Sequence, residues 1–259
     1  MNLPKKNIFI IFIILIFTII SMLFPIWGNL PFNCLIPLYL VLFQSMEKFE
    51  KLKISTLIFG RLLFVFTALL LCPVKWFLLI IVILMYINIA EAVITNIKSK
   101  TYFNVISGLA LLASAFQLIY NEWIVVIPKS QEGIVHIGYY ITTHWATLFW
   151  CIAYTIWNWD FVLSEFSSSI AKYHIFVLLI PFVVVLIMFN PGFWLISRVS
   201  SLTTGASIQV GFKTKIEEQF YSPKFDAFIK RVKQKDIQRI MMISVILLSA
   251  LSVILIFAK

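Results

Sequence analysis

Residues 190–212 read NPGFWLISRVSSLTTGASIQVGF, and the number of membrane crossings turns on them. Asn190-Pro191-Gly192 is a strong turn signal. The stretch that follows, Phe193–Phe212, carries one charge, Arg198, and is rich in Ser, Thr, Gly and Ala. Small residues of this kind let helices approach closely inside a bilayer. The segment therefore reads as a crossing helix packed among other helices, away from lipid. At ~1.5 Å per residue its length matches a hydrocarbon core of ~30 Å.

The flanking sequence is still more apolar. Of 259 residues, 61% are hydrophobic and 12% charged, against roughly 45–50% and about 25% in soluble domains. Disordered and collagen-like chains are excluded as well, with Gly 8, Pro 9 and Phe 25. The composition predicts an all-α, polytopic transmembrane helix bundle, a single integral membrane domain over 1–259. Eight further stretches suit crossings that need about 20 residues, some of them short: Ile8–Phe24, Leu30–Gln44, Ile54–Cys72, Trp76–Ile97, Phe103–Tyr120, Ile137–Asn158, Ile170–Phe189 and Ile240–Ala258. The first follows Lys5-Lys6 but is too apolar and too long for a signal peptide, and no small-x-small site follows it. It reads as an uncleaved span.

Charge chooses between eight spans and nine. With eight, the two faces carry nine and eleven Lys/Arg, which is no bias. With Phe193–Phe212 as a ninth crossing they carry sixteen and three. Short cytoplasmic loops concentrate Lys and Arg, so nine spans with a cytoplasmic amino terminus are favoured, in a bacterial inner membrane. Eight spans, with Pro191–Phe212 re-entrant or on the surface, are the alternative. The nine-span arrangement puts Trp27, Trp76, Trp123 and Trp194 at the outer interface and Trp157 and Trp159 at the inner one, an aromatic belt.

Polar residues within spans are the candidate site. An unpaired charge at bilayer depth costs at least ~2.5–3.5 kcal/mol. Arg61 and Glu91 lie on helices joined through Pro73, at depths differing by roughly 6 Å, and are expected to pair. Glu91 shares a helix face with Asn88, Thr95 and Lys98. In the sixth span Tyr140, His144, Thr147, Cys151, Tyr154, Thr155 and Asn158 form one polar stripe. It must face the bundle interior, either as a cavity lining with His144 as proton or ligand contact, or as interhelical hydrogen bonding. Arg198 suits an outer-leaflet anion or carboxylate contact, or snorkels to the interface.

The net charge of +10 is assigned to cytoplasmic loops and headgroups, since no nucleic-acid motif accompanies it. Residues 213–239 read as a basic cytoplasmic loop. Within it, Ser222 and Pro223 open a helix whose apolar face is Phe225, Phe228, Ile229 and Val232. With Lys224, Lys230, Arg231, Lys233 and Lys235 elsewhere, it resembles an interfacial helix for anionic inner-leaflet lipids. A partner membrane protein is the alternative dock.

No P-loop, HExxH or GxSxG is present, and Cys34, Cys72 and Cys151 lack metal-site spacing. Cys34 and Cys72 both sit at outer helix ends and can pair only if their Cα atoms come within about 7 Å. No cofactor is expected. Two functions fit: a small-solute or ion transporter, favoured and proton-coupled in one version, and a lipid-embedded enzyme or accessory subunit of a membrane complex. The nine-span topology is checked by cysteine labelling at positions 98 and 230. Both should label from the cytoplasmic side only; labelling from opposite sides refutes the topology.

Overall fold

A computed structural model of the chain describes residues 5–46, 48–69, 71–120, 123–126, 138–141 and 144–258. Helices dominate: α1 (Lys5–Leu23), a π-helix (Leu30–Leu35) running into α2 (Ile36–Phe43), α3 (Lys48–Ala68), α4 (Val74–Lys98), α5 (Tyr102–Ser114), α6 (Gln117–Tyr120), α7 (His144–Glu165), α8 (Ser168–Met188), α9 (Phe193–Gly211), α10 (Lys213–Phe220), α11 (Pro223–Val232) and α12 (Lys235–Phe257). Four of them are long and apolar enough to cross a membrane: α1, α4, α8 and α12. A two-stranded hairpin, β1 (Trp123–Val126) with β2 (Gly138–Ile141), lies between α6 and α7. The sixth span, expected from Ile137, is extended over Gly138–Ile141 and helical from His144 among the described residues. The aromatic and β-branched run Tyr139-Tyr140-Ile141 favours extended backbone there.

Local chemistry explains the other breaks. Pro31 and Pro37 each remove a backbone donor, and the Ile36 N–H reaches back five residues to the Pro31 carbonyl, the hydrogen bond of a π-turn. The expected span Phe103–Tyr120 divides after Ser114, whose hydroxyl donates to the Ala110 and Leu111 carbonyls, a back-bond that bends helices. Phe189 closes α8 at φ 51°, and the Asn190 side chain then accepts from the Gly192 N–H at 2.8 Å. The turn read from Asn190-Pro191-Gly192 is present. Residues 213–239, read as a loop with one amphipathic helix opening at Ser222, carry that helix as α11, with α10 before it and the start of α12 after it.

The chain gathers into two compact units. Unit 1 comprises Met1–Phe77, Val125–Tyr140 and Lys172–Phe220; unit 2 comprises Leu78–Ile124, Ile141–Ala171 and Tyr221–Lys259. In unit 1, α9 packs against α1, α2, α3 and the π-helix. Twelve of its nineteen residues are buried, which makes it the centre of the unit. Its two ends are matched separately. Near its start the Ile196 carbonyl accepts from Arg61. At its far end Gln44 Nε2 donates to the Val210 carbonyl at 3.0 Å, and in α10, which follows, Lys213 pairs with Glu50 at 3.7 Å and the Gln219 carbonyl accepts from Asn7 Nδ2 at 2.9 Å. Since Asn7 lies near the start of α1, Gln44 just past the end of α2 and Glu50 near the start of α3, the far end of α9 and the following α10 meet those three termini. The outward side of α1 carries exposed Ile8, Phe9, Phe12 and Ile16.

In unit 2, α12 packs along α7 and α5, and α5 packs on α7. Val245, Ser249, Ser252 and Ile256 form the buried side of α12. Two tryptophans depart from the belt: Trp157 and Trp194 are buried, Trp157 donating to the Asn104 carbonyl at 3.2 Å and Trp194 packing on Phe182. Their bulk fills the cores of units 2 and 1 respectively, whereas Trp27 and Trp76 are exposed as an interface residue requires.

Gly28 marks the tightest approach within unit 1. A Cβ there would lie 2.6 Å from the Ile20 carbonyl oxygen and 2.8 Å from the Ser21 Cα, both backbone atoms that cannot step aside. Gly28→Ala should therefore destabilise the fold by about 1–3 kcal/mol, the range for overpacking. Thermal unfolding in detergent measures it, and an unshifted melting point would refute the close approach.

Candidate functional site

In unit 1 the sequence supplies asparagines four residues apart on the π-helix side, Asn29 and Asn33, and a guanidinium from the middle of α3. Arg61 is 2% exposed. It donates through Nη1 to Asn29 Oδ1 at 3.2 Å and through Nη2 to the Ile196 carbonyl at 2.9 Å. Asn29 Nδ2 donates onward to the Ser21 and Pro25 carbonyls at 2.8 and 2.7 Å. Asn33 Nδ2 donates to the Ser21 hydroxyl at 2.7 Å, and Thr204 donates to Asn33 Oδ1 at 3.0 Å. One network therefore joins α1, the π-helix, α3 and α9. Each bond is made where water is excluded, so each is costly to lose.

The rest of the polar face of α9 divides into two kinds of group. Ser197, Ser201, Thr203 and Ser207 donate to carbonyls of their own helix, which satisfies hydroxyls buried in an apolar surround. Tyr173 and His174 of α8 reach across instead. The Tyr173 hydroxyl donates to the Gly205 carbonyl at 2.8 Å, and His174 Nε2 lies 2.6 Å from Gln209 Oε1. Arg198 is 5% exposed. It follows by two residues Ile196, whose carbonyl accepts from Arg61.

In unit 2 the polar stripe of α7 is recovered over its described length. Thr147, Cys151, Tyr154 and Asn158 are buried. The Tyr154 hydroxyl accepts from Asn88 Nδ2 and from Asn158 Nδ2, each at 3.4 Å. Thr155 donates to the Cys151 carbonyl of its own helix. His144 begins α7, and its side chain, like that of Tyr140, lies outside the described residues. At the stripe's far end Asp160, also buried, accepts from Gln238 of α12 at 2.7 Å.

The sequence candidates thus separate. Arg61 and Arg198 belong to unit 1, and Asn88, Glu91, Thr147, Tyr154 and Asn158 to unit 2. Glu91 is half-buried, with Thr95 donating to its backbone carbonyl; its pairing with Arg61 stays an expectation. Cys34 is buried and Cys72 half-buried, both as free thiols. Among the described residues no group of three or more His, Cys, Asp or Glu could hold a metal. Sequence reasoning missed Asn29, Asn33, Thr204, Tyr173, His174 and Gln209. The signal for the first two was their four-residue spacing around Pro31.

No family model, no curated protein and no solved structure matches the chain.

The Arg61 network makes a thermodynamic prediction. Hydrogen bonds to charged groups contribute about 1.5–3 kcal/mol. Arg61→Met and Asn29→Ala should each destabilise the protein, and the double variant should lose at least ~1 kcal/mol less than the sum. Denaturant unfolding in mixed micelles measures the coupling, and strict additivity would refute the bond.

Proposed function

We propose that this chain is a multi-pass carrier of a small anionic solute in a bacterial inner membrane, with nine crossings and a cytoplasmic amino terminus. One observation carries the choice of solute. The buried side chains of unit 1 that can bear positive charge are Arg61, Lys172, His174 and Arg198, whereas the buried carboxylate among the described residues, Asp160, belongs to unit 2. A basic interior suits an anion. Guanidinium groups are suited to that task, since their planar fork matches carboxylate and phosphate geometry. Intramembrane ionisable groups that face a bundle interior commonly mark a substrate or ion path.

Within this reading Arg61 is the fixed cation, held by Asn29 and the Ile196 carbonyl. Arg198, buried on the same helix two residues beyond the Ile196 carbonyl, forms the second part of the path. The hydroxyls of α9 line its surface at small cost, because most are already satisfied within the helix. The ninth crossing is supported by the way α9 is matched at both ends. If α3 crosses, a helix bonded to Arg61 near its start and to Gln44 near its end crosses beside it. The sixteen-to-three division of Lys and Arg favours the same topology.

Transport is tested with purified protein in sealed liposomes, offered labelled carboxylates and phosphates, a cation panel and neutral sugars. The expected result is saturable uptake confined to anions, reduced at least tenfold in Arg198→Gln while that variant elutes and melts like the parent. Uptake of cations or neutral solutes, or none from any class, would overturn the carrier reading in favour of an accessory subunit.

A further inference from the structure

We infer that the basic face of α11 and the first turns of α12 is a fixed platform for anionic phospholipid headgroups, held at the bilayer surface and not inserted into it. The inference concerns a surface separate from the proposed transport path. An interfacial helix would lay Phe225, Phe228, Ile229 and Val232 in the acyl layer. Here Phe225, Ile229 and Val232 are buried in the protein. The Phe228 ring stacks on Trp159 of α7, with centroids 5.9 Å apart. Three of the four apolar side chains are thus taken up by the protein, and only Phe228, 44% exposed, keeps an edge free; one partly covered ring is too little to draw the helix into the acyl layer.

What α11 offers outward is charge. Lys224, Lys230, Arg231, Lys233, Lys235 and Arg239 are all exposed, and the acidic residues among them are Asp226 and Asp236. The platform is braced from beneath. Ser222 caps α11, its hydroxyl accepting from the Phe225 N–H. Gln238 Nε2 donates both to the Val232 carbonyl at 3.1 Å, at the end of α11, and to Asp160 Oδ1 of α7 at 2.7 Å. One side chain thereby fixes the bend between α11 and α12 against α7.

Depth is set by α12 itself. Ile240, Ile243, Leu247, Leu251 and Ile254 are exposed at helical spacing, opposite the buried side of the same helix. In an apolar span such a stripe faces acyl chains. Lys235 and Arg239 precede Ile240 by five residues and one, so they stand within ~8 Å of the first lipid-facing side chain. That is the headgroup layer, ~5–8 Å thick on each side of the hydrocarbon core. Phosphodiester headgroups with net negative charge are the complementary ligand at this level.

The test uses the full chain in phosphatidylcholine vesicles containing trace spin-labelled phosphatidylglycerol or phosphatidylcholine. The expected result is a severalfold preference for the phosphatidylglycerol label, since a single engaged basic side chain is worth on the order of fivefold. The preference should fall toward one in ~0.5 M salt, where screening reaches within a few ångströms. It should vanish in Lys224→Gln/Lys230→Gln/Arg231→Gln/Lys233→Gln and persist in Lys98→Gln/Lys100→Gln, a basic pair elsewhere in unit 2. All six positions are exposed, and because Lys233 also acts electrostatically on buried Asp160, the triple variant Lys224→Gln/Lys230→Gln/Arg231→Gln, which spares it, should lose most of the preference too. A preference unchanged in the quadruple variant, or lost equally in the control, would overturn the inference. So would a spin label at Lys230→Cys that reports acyl-chain depth, or binding of poly-glutamate without any lipid preference, which would assign the face to an acidic protein.

Discussion

Unit 1 depends on the placement of one guanidinium. An arginine side chain inside an apolar bundle must find acceptors without water, and an isolated charge there is costly. Arg61 meets that demand with a side-chain amide from the turn after α1 and a main-chain carbonyl from the start of α9. Because the fork is planar and its donors point in fixed directions, satisfying it sets the lateral positions of three elements at once. Lysine in that place would offer a point charge and could not define the same geometry. The Asn29 and Asn33 amides extend the constraint to Ser21 and Thr204, so α9 is tied to both α3 and the π-helix.

That tie explains how a helix as polar as α9 can sit at the centre of an apolar unit. Its hydroxyls bond backward along the helix, and its small side chains admit close neighbours. At Gly205 an added Cβ would stand 3.0 Å from both methyl groups of Val177, tighter than an ordinary contact. The composition of residues 193–212 already carried this information, since Ser, Thr, Gly and Ala in a span signal packing against helices. The turn before it was legible too, in Asn190-Pro191-Gly192. The network itself was not. Asn29 and Asn33 bond to residues far along the chain, such as Thr204, and no local periodicity encodes such a pairing.

Unit 2 divides the same way between what local sequence records and what it does not. The stripe on α7 followed from a 100° repeat, and its members Thr147, Cys151, Tyr154 and Asn158 are buried, but so are Trp150 and Trp157 off the stripe. The helix start did not follow from that repeat. Residues 138–141 fit a helical stripe by spacing, yet an aromatic, β-branched run also suits a strand, and the extended form prevails. Trp157 exposes a second limit. Its position near a span end suggested an interface residue, but the Asn104 carbonyl supplies the acceptor that an indole N–H needs in a core.

The two populations of basic residues follow from one rule applied to the interior of the protein and to its exposed surface. Inside, a cation is tolerated only where acceptors are built around it, so buried positive charge is sparse and Arg61 is held by named partners. Outside, exposure removes that requirement, and Lys and Arg gather on α11 and the first turns of α12. Amphipathicity alone cannot tell a helix lying on lipid from one lying on its own protein, because both need one apolar face. The deciding fact is tertiary: Trp159 and the core of unit 2 reach the apolar face of α11 first. A strongly amphipathic basic segment beside a span is therefore a statement about where the interface is, and only packing decides which side of the helix meets it.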